Sequence, residues 1–263
     1  MSGNVLIGDA DEWTGGVVTP VASCVLAPNP SAWTLDGTNT WIVGAAGGPC
    51  VVVDPGPLGG GHEDAILRQI EERSAQVTAV LLTHGHIDHS EGAEDLAQRL
   101  GVAVRSWRAG NLVDTDRIEV NGGEIRVLAT PGHSSDSVCF LVDDLVLTGD
   151  TVLGRGTSVV AHPDGRLAEY LESLQSLSEW CSQAEVQRLL PGHGPVIDDP
   201  RRVVDYYLAH RQERLVQVKA AMEGGATTAA EIVDLVYADV PHAVRAAAEA
   251  TVLAQLAYLE AGS

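Results

Sequence analysis

Residues 83–89, Thr-His-Gly-His-Ile-Asp-His, combine three imidazoles and a carboxylate directly after a strand-like apolar run. On an extended chain, side chains two residues apart point to the same side, so His84 and His86 can converge on one metal ion where a strand ends. Asp88 keeps this spacing, whereas His89 breaks it and requires the chain to turn, which suits a second ion beside the first. The spacing therefore predicts a metal site.

Three further residues of ligand type follow other apolar runs. His133 and His193 each end a Pro-Gly-His sequence, and a Pro-Gly turn leaves the imidazole at the end of the preceding strand. Asp150 also follows a strand-like run, and Gly149 before it lets the backbone approach another segment closely. We expect one rim of the predicted sheets to gather seven ligands, namely His84, His86, Asp88, His89, His133, Asp150 and His193.

The chemistry of this set points to catalysis. Five imidazoles and two carboxylates, without a thiolate, suit zinc and also iron, manganese, cobalt or nickel. Seven ligands are too many for one tetrahedral zinc ion, so we expect two divalent ions that share a water molecule. Two such ions about 3.5–4 Å apart convert the water to hydroxide at neutral pH and polarise a substrate oxygen.

The remaining sequence predicts the elements that position these residues. Short apolar runs bounded by Gly, Pro, Asp or Asn predict strands, and amphipathic stretches between some of them predict helices. Asp143 and Asp144 join two strands as a hairpin, and other strand pairs are also too close for a crossover helix, so we predict two mixed sheets packed together with helices outside. The predicted strands cover residues 40–43, 50–54, 79–83, 125–129, 138–142, 145–148 and 187–190, and the helices between them cover residues 64–72, 91–100 and 167–180.

After Pro200 only helical signals occur. Thr228 and Glu231 have the spacing of a capping box, which opens the second of three predicted helices. We therefore expect a catalytic domain, residues 1–200, followed by a small all-helical domain, residues 201–263. The three helices are predicted over residues 201–222, 228–236 and 244–259.

Composition favours a small-molecule substrate. Sixteen basic and 36 acidic residues give a net charge of −20, which opposes non-specific binding to nucleic acid or to an anionic membrane. No apolar run approaches the roughly 20 residues that span a bilayer, and the first nine residues lack a secretory signal pattern. The four cysteines form no CxxC pair and suit buried thiols in a reducing cytosol. We expect a cytoplasmic protein, and the sequence does not predict its oligomeric state.

The ordered set His-x-His-x-Asp-His, a lone His, a lone Asp and a final His resembles the metallo-β-lactamase superfamily. The resemblance covers the first domain and implies a four-layer αββα sandwich. Metallo-β-lactamases of the common zinc class carry a Cys where Asp150 stands, so antibiotic hydrolysis is not the expected role. The resemblance further implies that the first ion is held by His84, His86 and His133 and the second by Asp88, His89 and His193, with Asp150 bridging.

Four other segments resemble the beta-lactamase-like protein 2 group, whose members append a C-terminal winged-helix-like domain. These segments are residues 37–44, 53–56, 191–196 and 207–214. The helices after Pro200 fit that domain in truncated form, because the β-hairpin wing has no counterpart after the last predicted helix. Glu91 stands where a small residue or Pro is common in the group, and we expect it to have little effect on the metals.

The sequence thus predicts a dinuclear metal-dependent hydrolase, in which a metal-bridging hydroxide attacks an ester, thioester, lactone or phosphodiester. Asp88, a ligand beside the water, could orient the water or take its proton. Arg155 lies in a segment expected to overhang the site and could grip a substrate carboxylate or phosphate. Asp54 could fix a ligand loop, and His210-Arg211 in the long helix between the domains could brace the site, although a packing role is the plain alternative for His210. A turn residue and a surface arginine are the plain alternatives for Asp54 and Arg155.

Other functions remain open on the sequence alone. A single-strand-specific endoribonuclease would use a local basic cluster, although the net charge and the lack of an aromatic stacking stripe oppose RNA binding. A mononuclear iron oxygenase on the same fold would use a subset of the ligands. Thioester hydrolysis of the glyoxalase II kind lacks a recognisable glutathione-binding motif, and a non-catalytic binding protein is opposed by the complete ligand set. The basic cluster consists of Arg201, Arg202, Arg211, Arg214 and Lys219.

Overall fold

The computed structural model describes residues 12–183, 185–238, 240 and 244–261. The predicted lack of a secretory signal concerns the first nine residues, which lie outside these ranges. Within them, no helix combines the length and the hydropathy that crossing a bilayer requires.

Two mixed β-sheets form the centre of the molecule. The first contains β1 (Gly16–Thr19), β2 (Ala22–Leu26), β3 (Asn39–Val43), β4 (Pro49–Val53), β5 (Gln76–Leu81) and β6 (Ala103–Arg105), in that order. The second contains β7 (Arg117–Val120), β8 (Gly123–Ala129), β9 (Val138–Val142), β10 (Leu145–Gly149) and β11 (Arg188–Pro191), and each strand again lies beside the next one in the chain. The pairs β4–β5, β5–β6 and β10–β11 are parallel, and the other neighbours are antiparallel.

The sheets pack face to face, and helices cover their outer faces. Alternate residues such as Trp41, Val53 and Phe140 fill the core between the sheets. Ile42 and Val80, on the opposite face of the first sheet, pack against α1 (His62–Glu72) and α3 (Ala93–Leu100). The outer face of the second sheet packs against α4 (Leu167–Gln183) and α5 (Pro200–Glu223). Burial on both faces explains the continuous apolar runs, and the predicted αββα arrangement is confirmed.

All regular structure described after β11 is helical. The helices are α5, α6 (Ala229–Val236) and α7 (Arg245–Ala261). Val218, Ile232 and Val252 form a small core among them. The predicted capping box is present, since Thr228 accepts from the Glu231 backbone N–H while the Glu231 carboxylate accepts from the Thr228 backbone N–H. Helix α5 also contributes to the core beneath the second sheet, so it joins the two parts of the chain.

Some strands and one helical turn were not predicted from the sequence. Strands β1, β2, β6 and β7 were not expected, and β6 has only three residues. A single helical turn, α2 (Ile87–Ser90), precedes α3, so the predicted helix over residues 91–100 begins later, at Ala93. Glu91 lies between the two helices, and its carboxylate accepts a hydrogen bond from the Leu58 backbone N–H at 3.0 Å.

Candidate metal centre

The structure brings all seven predicted ligands to one rim of the two sheets. The segment after β5 carries four of them, and α2 supplies the change of direction that His89 requires, because Asp88 and His89 lie within this single turn. His86 precedes the turn with an extended backbone, at φ −64° and ψ 145°. The other three ligands follow β8, β10 and β11.

The first cluster consists of His84, His86 and His133, whose ligand atoms lie within 4.8 Å of one another. His86 Nδ1 lies 3.0 Å from His84 Nε2 and 3.1 Å from His133 Nε2. His84 and His133 are 2% and 9% exposed, whereas His86 is open to solvent. Three ring nitrogens therefore face one point at the edge of the protein.

The second cluster consists of Asp88, His89 and His193. His193 Nε2 lies 3.2 Å from both His89 Nε2 and Asp88 Oδ2. Asp150 stands between the clusters, with Oδ1 3.4 Å from His89 Nε2 and Oδ2 3.8 Å from His133 Nε2. Within the described part of the chain, the buried Oδ1 atom of Asp150 has no hydrogen-bond partner.

Two glycines let the backbone come this close. Gly149 has a φ of +48°, and a Cβ atom there would lie 2.5 Å from Thr83 Oγ1. This is the close approach that the sequence predicted for Gly149. A Cβ atom on Gly192 would lie 2.5 Å from Asp150 Oδ1 and 2.7 Å from His89 Cε1. Either substitution would push the ligands apart.

The hydrogen bonds behind the histidines fix which nitrogen carries the proton. His133 Nδ1 lies 2.7 Å from the carbonyl oxygen of Val159, and His193 Nδ1 lies 3.2 Å from that of Gly37. A carbonyl oxygen only accepts, so both Nδ1 atoms donate, and in the neutral ring both Nε2 atoms present a lone pair to the cluster. His89 Nδ1 is held in the same way by Asp54 Oδ2 at 2.9 Å.

The spacing of these nitrogens fits a cation. Two nitrogens bound tetrahedrally to zinc at about 2.0–2.1 Å are separated by about 3.3 Å. The observed separations between ring nitrogens in the clusters are 3.0–3.2 Å. The Nε2 atoms of His89 and His193 lie 3.2 Å apart, and a bound ion would take the place of the protons on these atoms and account for their proximity. Both clusters could hold a metal ion.

Asp54 lies directly behind the ligands. Its carboxylate accepts hydrogen bonds from the Thr83 backbone N–H at 2.8 Å and from the Thr83 hydroxyl at 2.6 Å, besides the one from His89. It is 1% exposed and has a φ of 50°. That region is uncommon for residues other than glycine, although aspartate tolerates it better than most. One buried carboxylate thus connects the end of β5 to the second cluster.

Charge and burial oppose one another within the clusters. Burial favours a higher pKa for Asp150, but the imidazoles of His193 and His89 hold that pKa well below its usual range. Burial alone would lower the pKa of His193, and Asp150 and Asp88 instead raise it to about 9. Burial and the neighbouring His89 lower the pKa of His84. The carboxylates therefore stay ionised, as metal ligands must.

A cavity of about 480 Å³ opens beside the clusters. Five of the ligands line it, namely His86, Asp88, His133, Asp150 and His193. Much of the remaining wall is apolar and comes from Trp33, Leu153, Val159 and Ala161. Trp33 lies between β2 and β3 in a segment that gave no chemical signal in the sequence.

Arg155 and His210 occupy other surroundings. The guanidinium of Arg155 forms an ion pair with Asp36, and Arg155 does not line the cavity. His210 stacks on Tyr206 with ring centroids 5.8 Å apart, and burial lowers its pKa to about 4. The next residue, Arg211, contacts the segment that lines the cavity, as described below.

Arg211 lies beside His210 on the long helix from which bracing of the site was predicted. It is 2% exposed, its guanidinium lies 5.0 Å above the Tyr170 ring, and its Nη2 donates to the carbonyl oxygen of Ser158. The next residue, Val159, accepts the hydrogen bond from His133 Nδ1. The helical spacing of Arg211 from Tyr207, which is also buried, was the available sequence signal.

The chain matches two family models. The metallo-beta-lactamase superfamily model matches residues 33–106, and the beta-lactamase associated winged helix domain matches residues 228–262. An atrochrysone carboxyl ACP thioesterase from Aspergillus fumigatus is 31% identical over 248 residues, covering 86% of this chain and 76% of that protein. A beta-lactamase-like protein 2 homolog from Drosophila melanogaster is 31% identical over 265 residues, covering 90% of this chain and 86% of that protein.

Solved structures agree on the fold. A beta-lactamase domain protein from Burkholderia ambifaria superposes with a TM-score of 0.80 at 22% identity, covering 97% of this chain and 91% of that one. A metallo-beta-lactamase family protein from Thermus thermophilus gives a TM-score of 0.77 at 23% identity, covering 94% of this chain and 95% of that one. The chain belongs to the metallo-β-lactamase superfamily, and its resemblance to the beta-lactamase-like protein 2 group is confirmed.

Proposed function

We propose that this chain is a dinuclear metal-dependent hydrolase that cleaves a carboxylic ester or thioester of a small molecule. The observation that carries the proposal is the convergence of two donor clusters on the carboxylate of Asp150, next to a cavity. Each cluster has the number and type of ligands that a borderline divalent cation takes.

The two ions would be held by the clusters described above, with Asp150 shared. Zinc is the first candidate because imidazole and carboxylate donors suit it, and iron and manganese are the alternatives. When bound, a pair of such ions activates a water molecule at neutral pH and polarises the substrate carbonyl.

Asp88 is the residue placed to handle the proton. Its side chain is 29% exposed and lines the cavity, while Oδ2 lies 3.2 Å from His193 Nε2. In hydrolysis, the water oxygen forms a bond to the acyl carbon and the bond from that carbon to oxygen or sulfur breaks. Asp88 takes the proton from the water and delivers it to the leaving oxygen or sulfur, so the products are an acid and an alcohol or thiol.

The relatives favour thioesters or esters over phosphodiesters. The fungal protein described above is named a thioesterase. For RNA cleavage, the predicted basic cluster would have to form one surface. Arg211, however, is 2% exposed, and its guanidinium donates to the carbonyl oxygen of Ser158. Arg214 in turn donates to Gln217 and to the carbonyl oxygen of Val236. Two of the five residues of the predicted basic cluster thus make hydrogen bonds within the protein.

Substitution of the shared carboxylate tests this function. Asp150→Ala removes the group between the clusters, so we expect the rates of hydrolysis of p-nitrophenyl butyrate and of a butyryl thioester to fall roughly 100-fold or more. This loss exceeds the usual effect of changing a residue that only hydrogen-bonds to a metal ligand. Asp144→Ala, in the exposed β9–β10 turn, is the matched control and should keep wild-type rates. Rates that survive Asp150→Ala, or faster turnover of bis-p-nitrophenyl phosphate than of either acyl substrate, would reject the proposal.

A further inference from the structure

The cavity beside the metal clusters has an uneven distribution of charge. Its charged side chains, apart from the histidine ligands, are Asp88, Asp150 and Asp164, and with Asp88 and Asp150 assigned to the metal ions, Asp164 is the charged side chain among the described lining residues that is left to face a substrate. Neither Arg nor Lys is among the described residues that line it. Asp164 is exposed and accepts a hydrogen bond from the Ser135 hydroxyl at 2.7 Å. A substrate with an anionic group away from its reacting carbonyl would find no cationic side chain there and would face Asp164.

Arg155 does not add a positive charge to the cavity. It was the one residue predicted to grip a carboxylate or phosphate, and its guanidinium is paired with Asp36 instead. This ion pair links two segments that lie beside the cavity, one carrying Trp33 and Thr34 and the other carrying Leu153. The arginine therefore holds the wall of the cavity together.

The uncharged part of the cavity wall is built to take apolar surface. Trp33 is 52% exposed although its backbone is held, since its N–H and that of Thr34 both donate to the Ser31 hydroxyl at 3.1 Å. Leu153 is fixed through its backbone N–H, which donates to the Tyr207 hydroxyl at 2.9 Å. Covering a large apolar ring that is half open, on a backbone that is held, stabilises the bound ligand.

We propose that this cavity is a binding subsite for an uncharged, apolar acyl group, and that Trp33 sets the acyl length that the site accepts. The inference rests on the proposed hydrolase function and narrows its substrate class. Esters and thioesters of medium-length fatty acids fit the subsite, whereas acyl groups ending in a carboxylate do not.

A series of p-nitrophenyl esters tests the apolar part of the proposal on the metal-loaded protein. Each buried methylene is worth about 0.8 kcal/mol, so kcat/KM should rise about 15-fold for every two methylenes from acetate through butyrate to hexanoate. Trp33→Ala should lower kcat/KM for hexanoate by roughly tenfold, mainly through KM, and for acetate by less than about threefold. Trp107→Ala, a tryptophan outside the cavity, is the matched control and should keep the wild-type series.

A terminal carboxylate tests the charge of the subsite. The mono-p-nitrophenyl ester of adipic acid has the same number of acyl carbons as the hexanoate but ends in an anion. We expect its kcat/KM to be at least tenfold lower than that of the hexanoate. Asp164→Asn should raise the value for the adipate ester by about threefold to fivefold, as expected for removing one like charge near the surface, and leave the hexanoate value unchanged.

A binding measurement separates this inference from the proposed function. The uncharged ketone 2-octanone cannot be hydrolysed and should shift the tryptophan emission of the wild type and of Trp107→Phe, but not that of Trp33→Phe. If the shift occurs while no ester is hydrolysed, the subsite stands and the hydrolase proposal fails. If esters are hydrolysed with no dependence on chain length and no shift is seen, the subsite proposal is overturned and the hydrolase proposal stands.

Discussion

At the scale of single residues, Asp54 explains how ligands from separate segments keep their orientation. Its two oxygens accept from the Thr83 N–H, the Thr83 hydroxyl and His89 Nδ1. The Thr83 hydroxyl also lies 3.0 Å from His84 Nδ1. Since Thr83 donates its proton to Asp54, this hydroxyl can accept from His84, which leaves His84 Nε2 free to bind an ion.

Asp54→Asn should therefore weaken metal binding without removing a ligand. An amide cannot accept at both ends, so either Thr83 or His89 loses its partner, and we expect affinity for zinc to fall about 10–100-fold. Competition with a chromophoric chelator measures this. Asp143→Asn is a close control, because Asp143 has the same left-handed backbone, with a φ of 50°, in an exposed turn. Equal affinities for the two variants would contradict the role of Asp54.

The residues of the metal clusters could be predicted because their signal is local. Imidazoles and carboxylates at fixed spacing after an apolar run need no knowledge of the rest of the chain. Trp33 gave no such signal, since its place at the cavity depends on contacts between segments far apart in sequence. Asn39, for example, donates to the carbonyl oxygens of Pro191 and Gly194 at 2.9 and 2.8 Å, and thereby holds the turn of His193 against β3.

At the scale of elements, α4 and α5 support the segment that follows Asp150. The Tyr170 hydroxyl donates to the carbonyl oxygen of Thr151 at 2.6 Å, and the Tyr207 hydroxyl accepts from Leu153. Arg211 completes this support beneath Ser158. Sequence patterns predicted the long buried strands and the helices well, because burial on both faces gives continuous apolar runs. They missed β1, β6 and β7, which are short and partly exposed, and also β2, which has five residues and is mostly buried.

Arg211→Met should couple a loss of stability to a loss of metal. The substitution leaves the carbonyl oxygen of the buried Ser158 without its donor, so we expect the free energy of unfolding to fall by about 1–3 kcal/mol. Because Val159 orients His133, the ion in the first cluster should also bind more weakly than the ion in the second. Urea unfolding and chelator titration measure the two effects.

Two further variants make that test specific. Arg211→Lys keeps one donor and should restore part of the metal affinity. Arg202→Met, on an exposed position of the same helix, should change neither quantity. Lower stability with unaltered affinity at both clusters would show that Arg211 acts on packing alone.

At the scale of the whole molecule, the sandwich makes both sheets end at the same rim. Parallel pairing of β10 with β11 places Asp150 and the turn of His193 side by side, and β5 delivers the four-residue cluster from the other sheet. The net charge of −20 is compatible with cation binding at this rim and with uncharged substrates. The resemblance of the motif to a known superfamily predicted this arrangement, whereas the apolar cavity wall required the structure.

The function proposed for this rim requires a pair of ions that share Asp150. Diffraction from a crystal of the zinc-loaded protein, measured on both sides of the zinc absorption edge, would locate these ions. We expect two anomalous peaks about 3.5–4 Å apart, one among His84, His86 and His133 and the other among Asp88, His89 and His193. A single peak in one cluster, or none at the rim, would contradict the proposed function.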